Sequence, residues 1–365
     1  MSNLDTQPEE TLCDERAGGS TTPVTLLEPR DVPLGGLRAM TVRRTLPQRG
    51  RTLIGAWCFL DHYGPDDVAV SGGMNVPAHP HTGLQTASWL FSGTIEHRDS
   101  SGAHALVRPG ELNLMTAGSG ISHSERSTPD TSVLHGVQLW IALPEHARHV
   151  PRRFEHYVPP LRTGPGWAAQ VFLGSLLGDA SPVVTHTPLL GAELNLLPGA
   201  TLELAVDRGF EHGLLVDRGE LTVAARTGAG TSTDAGTDTG AGAADTGSGS
   251  GPGMTSTADP GAATAVPRDT LAFVAAGADH LHLSAGQAGA RVLLIGGAPF
   301  GEQLVMWWNF VGRSHDDIVA ARAAWQAEIA ADTAPTPQVF GLPEHEPEPP
   351  LPAPPLPSAQ LKPRE

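Results

Sequence analysis

The 365-residue chain contains only two cysteines, Cys13 and Cys58, which is too few to read as a disulfide framework. No apolar run approaches the roughly 20 residues that a membrane-spanning helix needs. The opening residues, MSNLDTQPEETLCDER, lack the apolar stretch of a secretory signal. A soluble, cytoplasmic protein is therefore expected. Aromatic residues make up 5% of the chain and charged residues 17%, a poor match to the Leu, Glu and Lys content of a helical bundle. Basic charge is also scarce: 23 Lys and Arg stand against 39 Asp and Glu, a net charge of −16. A protein that grips the phosphate backbone needs a basic stripe, so direct nucleic-acid binding is not expected.

What the chain does have is turn formers, with 43 glycines and 33 prolines, and an uneven charge distribution. Residues 1–30 carry −4, residues 227–266 carry −4, and the Pro-rich residues 332–365 carry −3, leaving −5 for the remaining 261. These three segments have too little apolar content to offset the entropy of ordering. The spacing therefore predicts a disordered segment over 1–27 and a disordered insert over 227–266. A Pro-rich tail over 332–365 is expected to be disordered too, with EPEPPLPAPPLP extended as polyproline II.

Between them, short β-rich runs alternate with turn signals. They lie at 84–91, 94–98, 112–116, 133–141, 168–173, 193–197, 201–206, 213–216, 221–225, 270–274 and 291–295. Many short strands at such spacing predict an all-β antiparallel sandwich or barrel. YVPPLRTGPG breaks the pattern near 160, giving one domain over 28–160 and a second over 161–331 that contains the insert. A helix is predicted near the end, with Ser314 as N-cap and Asp317 three residues on. Ile318, Ala321, Trp325 and Ile329 would share the face that packs against a barrel.

Chemistry concentrates in 77–125. His79-Pro80-His81 is an i, i+2 pair, so both imidazoles point to one side of a strand. Forty-two residues after His81 comes a second such pair, His123-Ser124-Glu125. Two pairs on adjoining strands would make a pocket of three His and one carboxylate. That donor set suits a divalent first-row metal, Fe(II), Mn, Ni, Cu or Zn, and the lack of thiolates disfavours a structural zinc site. With 16 His in the chain, an isolated pair carries little weight. His280-Leu281-His282, even with His212, is read as ordinary barrel sequence. Trp57, Phe59 and Met115 could line a pocket, but core positions are the expectation.

The stretch HPHTGLQTASWLFSGTIEHRDSSG (79–102), followed by RPGELNLMTAGSGISHSE (108–125), resembles the pirin family, bicupins of the cupin superfamily. CFLDHYGP (58–65) and GGAPFGEQLVMWWNFVGRSHDDI (296–318) extend the resemblance over roughly 28–330. It implies two jelly-roll-type cupin β-barrels packed face to face, with one metal, iron first, held in the N-terminal barrel by His79, His81, His123 and Glu125. Gln85 stands where the general cupin motif has Glu; in pirins the carboxylate ligand is the later one, so this changes the surroundings of the metal rather than its ligand count.

The resemblance implies two activities. One is a quercetin-type flavonol 2,3-dioxygenase that opens a small aromatic substrate with dioxygen and releases carbon monoxide, Glu125 serving as catalytic base. The other is a non-catalytic regulator that binds a protein partner according to the redox state of its iron. A monomer is mildly preferred, because the two barrels can bury each other's faces.

Overall fold

The computed structural model describes residues 11–13, 24–34, 40–226, 263–331 and 338–357. The strands form two β-sandwich barrels. In the first, a seven-stranded sheet runs in the order Arg153–Tyr157, Leu112–Thr116, Leu84–Ser92, Val133–Ala142, Trp57–Asp67, Met40–Leu46, Arg30–Leu34. A four-stranded sheet, Asn75–His81, Ile121–Ser127, Ile95–Asp99, His104–Val107, completes it. The second barrel is built on the long strands Glu211–Arg226 and His280–Gly297. The expected strands at 213–216 and 221–225 are one strand. Its Asp217-Arg218-Gly219 stretch, which reads as a turn, is a pair of register shifts, with Gly219 at φ +78° absorbing the irregularity.

The two large sheets face each other and share one apolar core. Trp57, Trp89, Leu139 and Phe59 from the first barrel pack with Phe172, Leu215, Leu293 and Ile295 from the second. Both indoles also donate across the seam, Trp89 Nε1 to Glu193 Oε2 at 2.7 Å and Trp57 Nε1 to the Gly296 carbonyl at 3.0 Å. The two backbones come close at Gly55 (φ +53°), where a Cβ would sit 2.7 Å from Gly297 Cα; only glycine fits there.

A buried polar knot lies in the same seam. Asp217 Oδ1 is 2.9 Å from His62 Nε2 and 2.6 Å from His135 Nε2, while its Oδ2 accepts from Arg291 Nε at 2.6 Å. These partners hold the Asp217 carboxyl well below the ordinary 3.8 against the opposing effect of burial.

The ends of the chain cross over, which alters the expected domain limits. Thr25–Leu27, placed in the disordered 1–27 segment, pairs with Leu271–Val274 of the second barrel. At the other end, 304–330 serves the first barrel although it falls within 161–331. Phe310 bridges Thr82, Val311 N–H donates to the Thr82 carbonyl at 3.1 Å, and Arg313 donates to the Leu143 carbonyl at 2.7 Å. The helix His315–Ala330 begins with the expected Ser314–Asp317 capping box and buries Ile318 and Trp325.

The expectation of a disordered tail fails for 338–357. The Glu328 carboxylate accepts from the backbone N–H groups of Val339, Phe340 and Gly341 at 2.6, 3.2 and 3.0 Å. Phe340 is fully buried among Trp325 and Phe310, and Trp325 Nε1 donates to the Leu351 carbonyl at 2.8 Å. Buried apolar anchors and satisfied backbone groups offset the ordering entropy. The expected disorder of 1–10, 14–23, 227–262, 332–337 and 358–365 lies outside the described residues. The last residues of the insert, Thr264–Val266, form a strand against Leu221–Val223. Among the described residues no helix is long and apolar enough to cross a membrane.

Removing the carboxylate from the seam should leave two imidazoles and a guanidinium without their acceptor. Asp217→Leu is expected to lower unfolding free energy by about 3–5 kcal/mol, read from urea denaturation at pH 7; a change within experimental error would show the knot to be energetically neutral.

Candidate metal centre

Four of the chain's chemistry-bearing side chains enter the first barrel from two neighbouring strands. Asn75–His81 runs antiparallel to Ile121–Ser127, with His79 directly opposite His123 and His81 opposite Ile121. Opposed residues project to the same face, so the i, i+2 pairs converge. The rings of His79, His81 and His123 lie 4.3–5.0 Å apart, centroid to centroid. All three residues, and Glu125, are fully buried.

The ring nitrogens are prepared for a cation. A carbonyl can only accept, so the 2.9 Å contact to Pro77 O places the proton of His79 on Nδ1. His79 Nε2, buried, has no hydrogen-bond partner among the described residues. His81 Nε2 and His123 Nε2 lie 3.0 Å apart, the spacing of two nitrogens each about 2.1 Å from one ion and roughly at right angles. Burial drives the basicity of all three imidazoles down, His79 to about 4 and the others well below 6.5. Neutral imidazoles, with the His79 lone pair on the unpartnered Nε2 and the Nε2 atoms of His81 and His123 facing each other, fit a divalent metal.

The carboxylate stands slightly apart. A register shift after His123 sets Glu125 opposite Val76 on one side and opposite His97 on the other. Donor atoms within 4.8 Å of one another form two groups that share His123: His79, His81, His123 and His97, His123, Glu125. His97 was missed in the sequence reading. Its signal was the spacing of His97-Arg98-Asp99, a third i, i+2 pair on the strand Ile95–Asp99, which is the other neighbour of Ile121–Ser127.

Around the trio, the Trp140 indole meets the edge of His81 at 5.2 Å and stacks on Phe59 at 4.1 Å. Trp57 and Phe59 belong to the shared core, and Met115 packs with Ala117 and Ile121. Gln85 is buried and donates to Thr116 Oγ1 at 2.9 Å; it is in neither donor group. His212 lies opposite Gly296, and His280 pairs with Asp279 at 2.9 Å. His282 lies opposite Glu203, and the structure does not gather these three His. His62, His135 and Asp217 form a third donor group, but Arg291 and Arg43 flank it, and their positive charge opposes a cation.

Comparison with known proteins agrees with this architecture. Residues 39–141 match the Pirin family and residues 251–329 the Pirin C-terminal cupin domain. A Caulobacter vibrioides protein named "Pirin-like protein" is 32% identical over 78% of this chain and 88% of its own length.

The chain belongs to the pirin family.

A Pseudomonas aeruginosa relative named "Putative quercetin 2,3-dioxygenase" is 41% identical over 81% of this pirin-family chain and 82% of its own. A crystal structure titled as quercetin 2,3-dioxygenase from Acinetobacter baumannii superimposes with a TM-score of 0.75 at 33% identity. It covers 93% of this chain and 97% of that one.

Protonation should oppose the folded, metal-free protein. The unfolded chain binds protons on these imidazoles near pH 6.5, and the native chain does so only at lower pH. Stability is thus fully present above 6.5 and is lost as pH falls toward about 4. Urea titrations at pH 7, 6 and 5 should show a decline that His79→Ala reduces by up to about 1.4 kcal/mol per pH unit; parallel curves would contradict the burial argument.

Proposed function

We propose that this pirin-family protein is a metal-dependent dioxygenase of the quercetin 2,3-dioxygenase type, with iron held by His79, His81, His123 and Glu125. The observation that carries the reading is the buried histidine trio with inward Nε2 atoms, in a chain that matches a quercetin 2,3-dioxygenase structure over nearly its full length. A first-row metal, when bound, supplies a Lewis-acid centre that acidifies a phenolic hydroxyl and brings it together with dioxygen. The protein does the rest. Glu125, enclosed in the barrel, takes the proton of the flavonol 3-hydroxyl as general base. The Trp140 and Phe59 stack beside His81 keeps that side of the site apolar, where Coulombic effects are strong and water is excluded.

Fe(II)-loaded protein mixed with quercetin is expected to consume oxygen and release carbon monoxide. Glu125→Gln should lose about 10²–10⁴-fold in rate. Metal analysis should show that His79→Ala and His123→Ala lose the ion. A fully metallated protein that takes up no oxygen with a panel of flavonols would overturn the dioxygenase assignment and favour a regulatory role. Full metal retention in both His variants would overturn the site.

A further inference from the structure

The third i, i+2 pair, His97 and Asp99, is connected to the metal site through a single ring. On the strand Ile95–Asp99, His97 lies opposite Glu125 and Asp99 opposite His123, so both project to the ligand face. His97 and Asp99 are 3% and 2% exposed. Asp99 Oδ2 is 3.1 Å from His97 Nε2, and His97 Nδ1 is 3.4 Å from His123 Nδ1. The other nitrogen of His123, Nε2, is the one that faces His81. Stacking on Phe154 at 4.8 Å fixes the plane of the His97 ring.

We infer that Asp99 and His97 form a relay that sets the tautomer of His123 and keeps its Nε2 lone pair directed at the metal. It rests on the metal-site reading above and not on turnover. Each link follows from donor and acceptor chemistry. Asp99 Oδ1 accepts from the Ser101 N–H at 2.8 Å, the Ser101 hydroxyl at 2.6 Å and the Ala103 N–H at 3.2 Å, so the carboxylate is anchored as an acceptor. Its Oδ2 then takes a hydrogen bond from His97 Nε2–H. A neutral ring protonated at Nε2 has its lone pair on Nδ1, which accepts from His123 Nδ1–H. His123 is left with a bare Nε2. His79 reaches the same state by a shorter route, through Pro77 O. Partners of this kind fix ring orientation and raise ligand basicity. His97 and Asp99 are positioning residues in this scheme.

The competing arrangement makes His97 itself a ligand, with His123 and Glu125. It requires the His123 lone pair on Nδ1 and therefore the opposite tautomer. Two-bond ¹H–¹⁵N correlation spectra of the metal-free protein separate the two. The relay requires Nδ1–H on His123 and Nε2–H on His97; Nε2–H on His123 overturns it.

Asp99→Asn tests direction. The three donors on Oδ1 demand an acceptor, so the Asn oxygen occupies that place and its NH₂ points at His97 Nε2. The relay then reverses, giving Nδ1–H on His97 and Nε2–H on His123. Affinity for Co(II), measured by chelator competition, should fall at least 10–100-fold. His97→Phe keeps the stack on Phe154 but removes both hydrogen bonds, and should also lose Co(II) affinity. It leaves Asp99 Oδ2 and His123 Nδ1–H buried without these partners, so its resistance to urea should fall too, and Asp99→Asn is the variant that separates the relay from stability. Unchanged affinity in both variants overturns the proposal. Because the tautomers are read without metal, failure of the unsubstituted chain to bind Co(II) would refute the metal site while leaving this measurement decisive for the relay.

Discussion

The register between Asn75–His81 and Ile121–Ser127 governs the rest of the molecule. With His79 opposite His123, the rings of His79, His81 and His123 close on one point while Glu125 stands toward His97; a slip of one residue would turn the slipped strand's pair outward. The neighbouring strand Ile95–Asp99 is tied to the same register, and it brings His97 and Asp99 behind His123. One set of backbone hydrogen bonds therefore places both the donor atoms and the groups that orient them.

The outer face of this small sheet would be a weak point if it stood alone, because its alternate residues point away from the barrel. The chain's own end covers it. Ser122 Oγ donates to the Gly341 carbonyl at 2.6 Å, and Arg126 pairs with Glu346 at 2.7 Å, where Ser124 also donates. Asn75 donates to Glu348 at 2.9 Å, and Leu351 N–H donates to the Ala78 carbonyl at 2.8 Å. Inward residues 79, 81, 123 and 125 hold chemistry, and outward residues 75, 122, 124 and 126 hold the tail. With Thr25–Leu27 in the second barrel and 304–330 and 338–357 on the first, each terminal region clasps the barrel that is distant in sequence.

Much of this was legible from residues. The short β-rich runs at 84–91, 112–116 and 133–141, bounded by turn signals, located strands that the structure extends by at most a residue or so, although these strands are buried along nearly their whole length. The strand Asn75–His81 was harder, because two prolines interrupt it and proline is a poor strand residue. His97 was overlooked because, among 16 His, an i, i+2 spacing acquires meaning only when a facing strand is known. The tail was misjudged for a related reason. Its composition lacks apolar density, but Phe340 and Leu351 find a ready-made surface on Trp325 and the small sheet, and composition cannot register a partner hundreds of residues away.

The sequence by itself determined the all-β character, the two-barrel division, the capped helix and the two i, i+2 pairs of the candidate site, since each depends on spacing within a few residues and on local backbone chemistry. Only the tertiary structure decided which strands adjoin, that His97 and Asp99 stand behind His123, that Glu125 lies on the His97 side, and that residues 338–357 form a strap. Those outcomes depend on register across non-consecutive strands, and register is settled by the burial of whole sheets against each other.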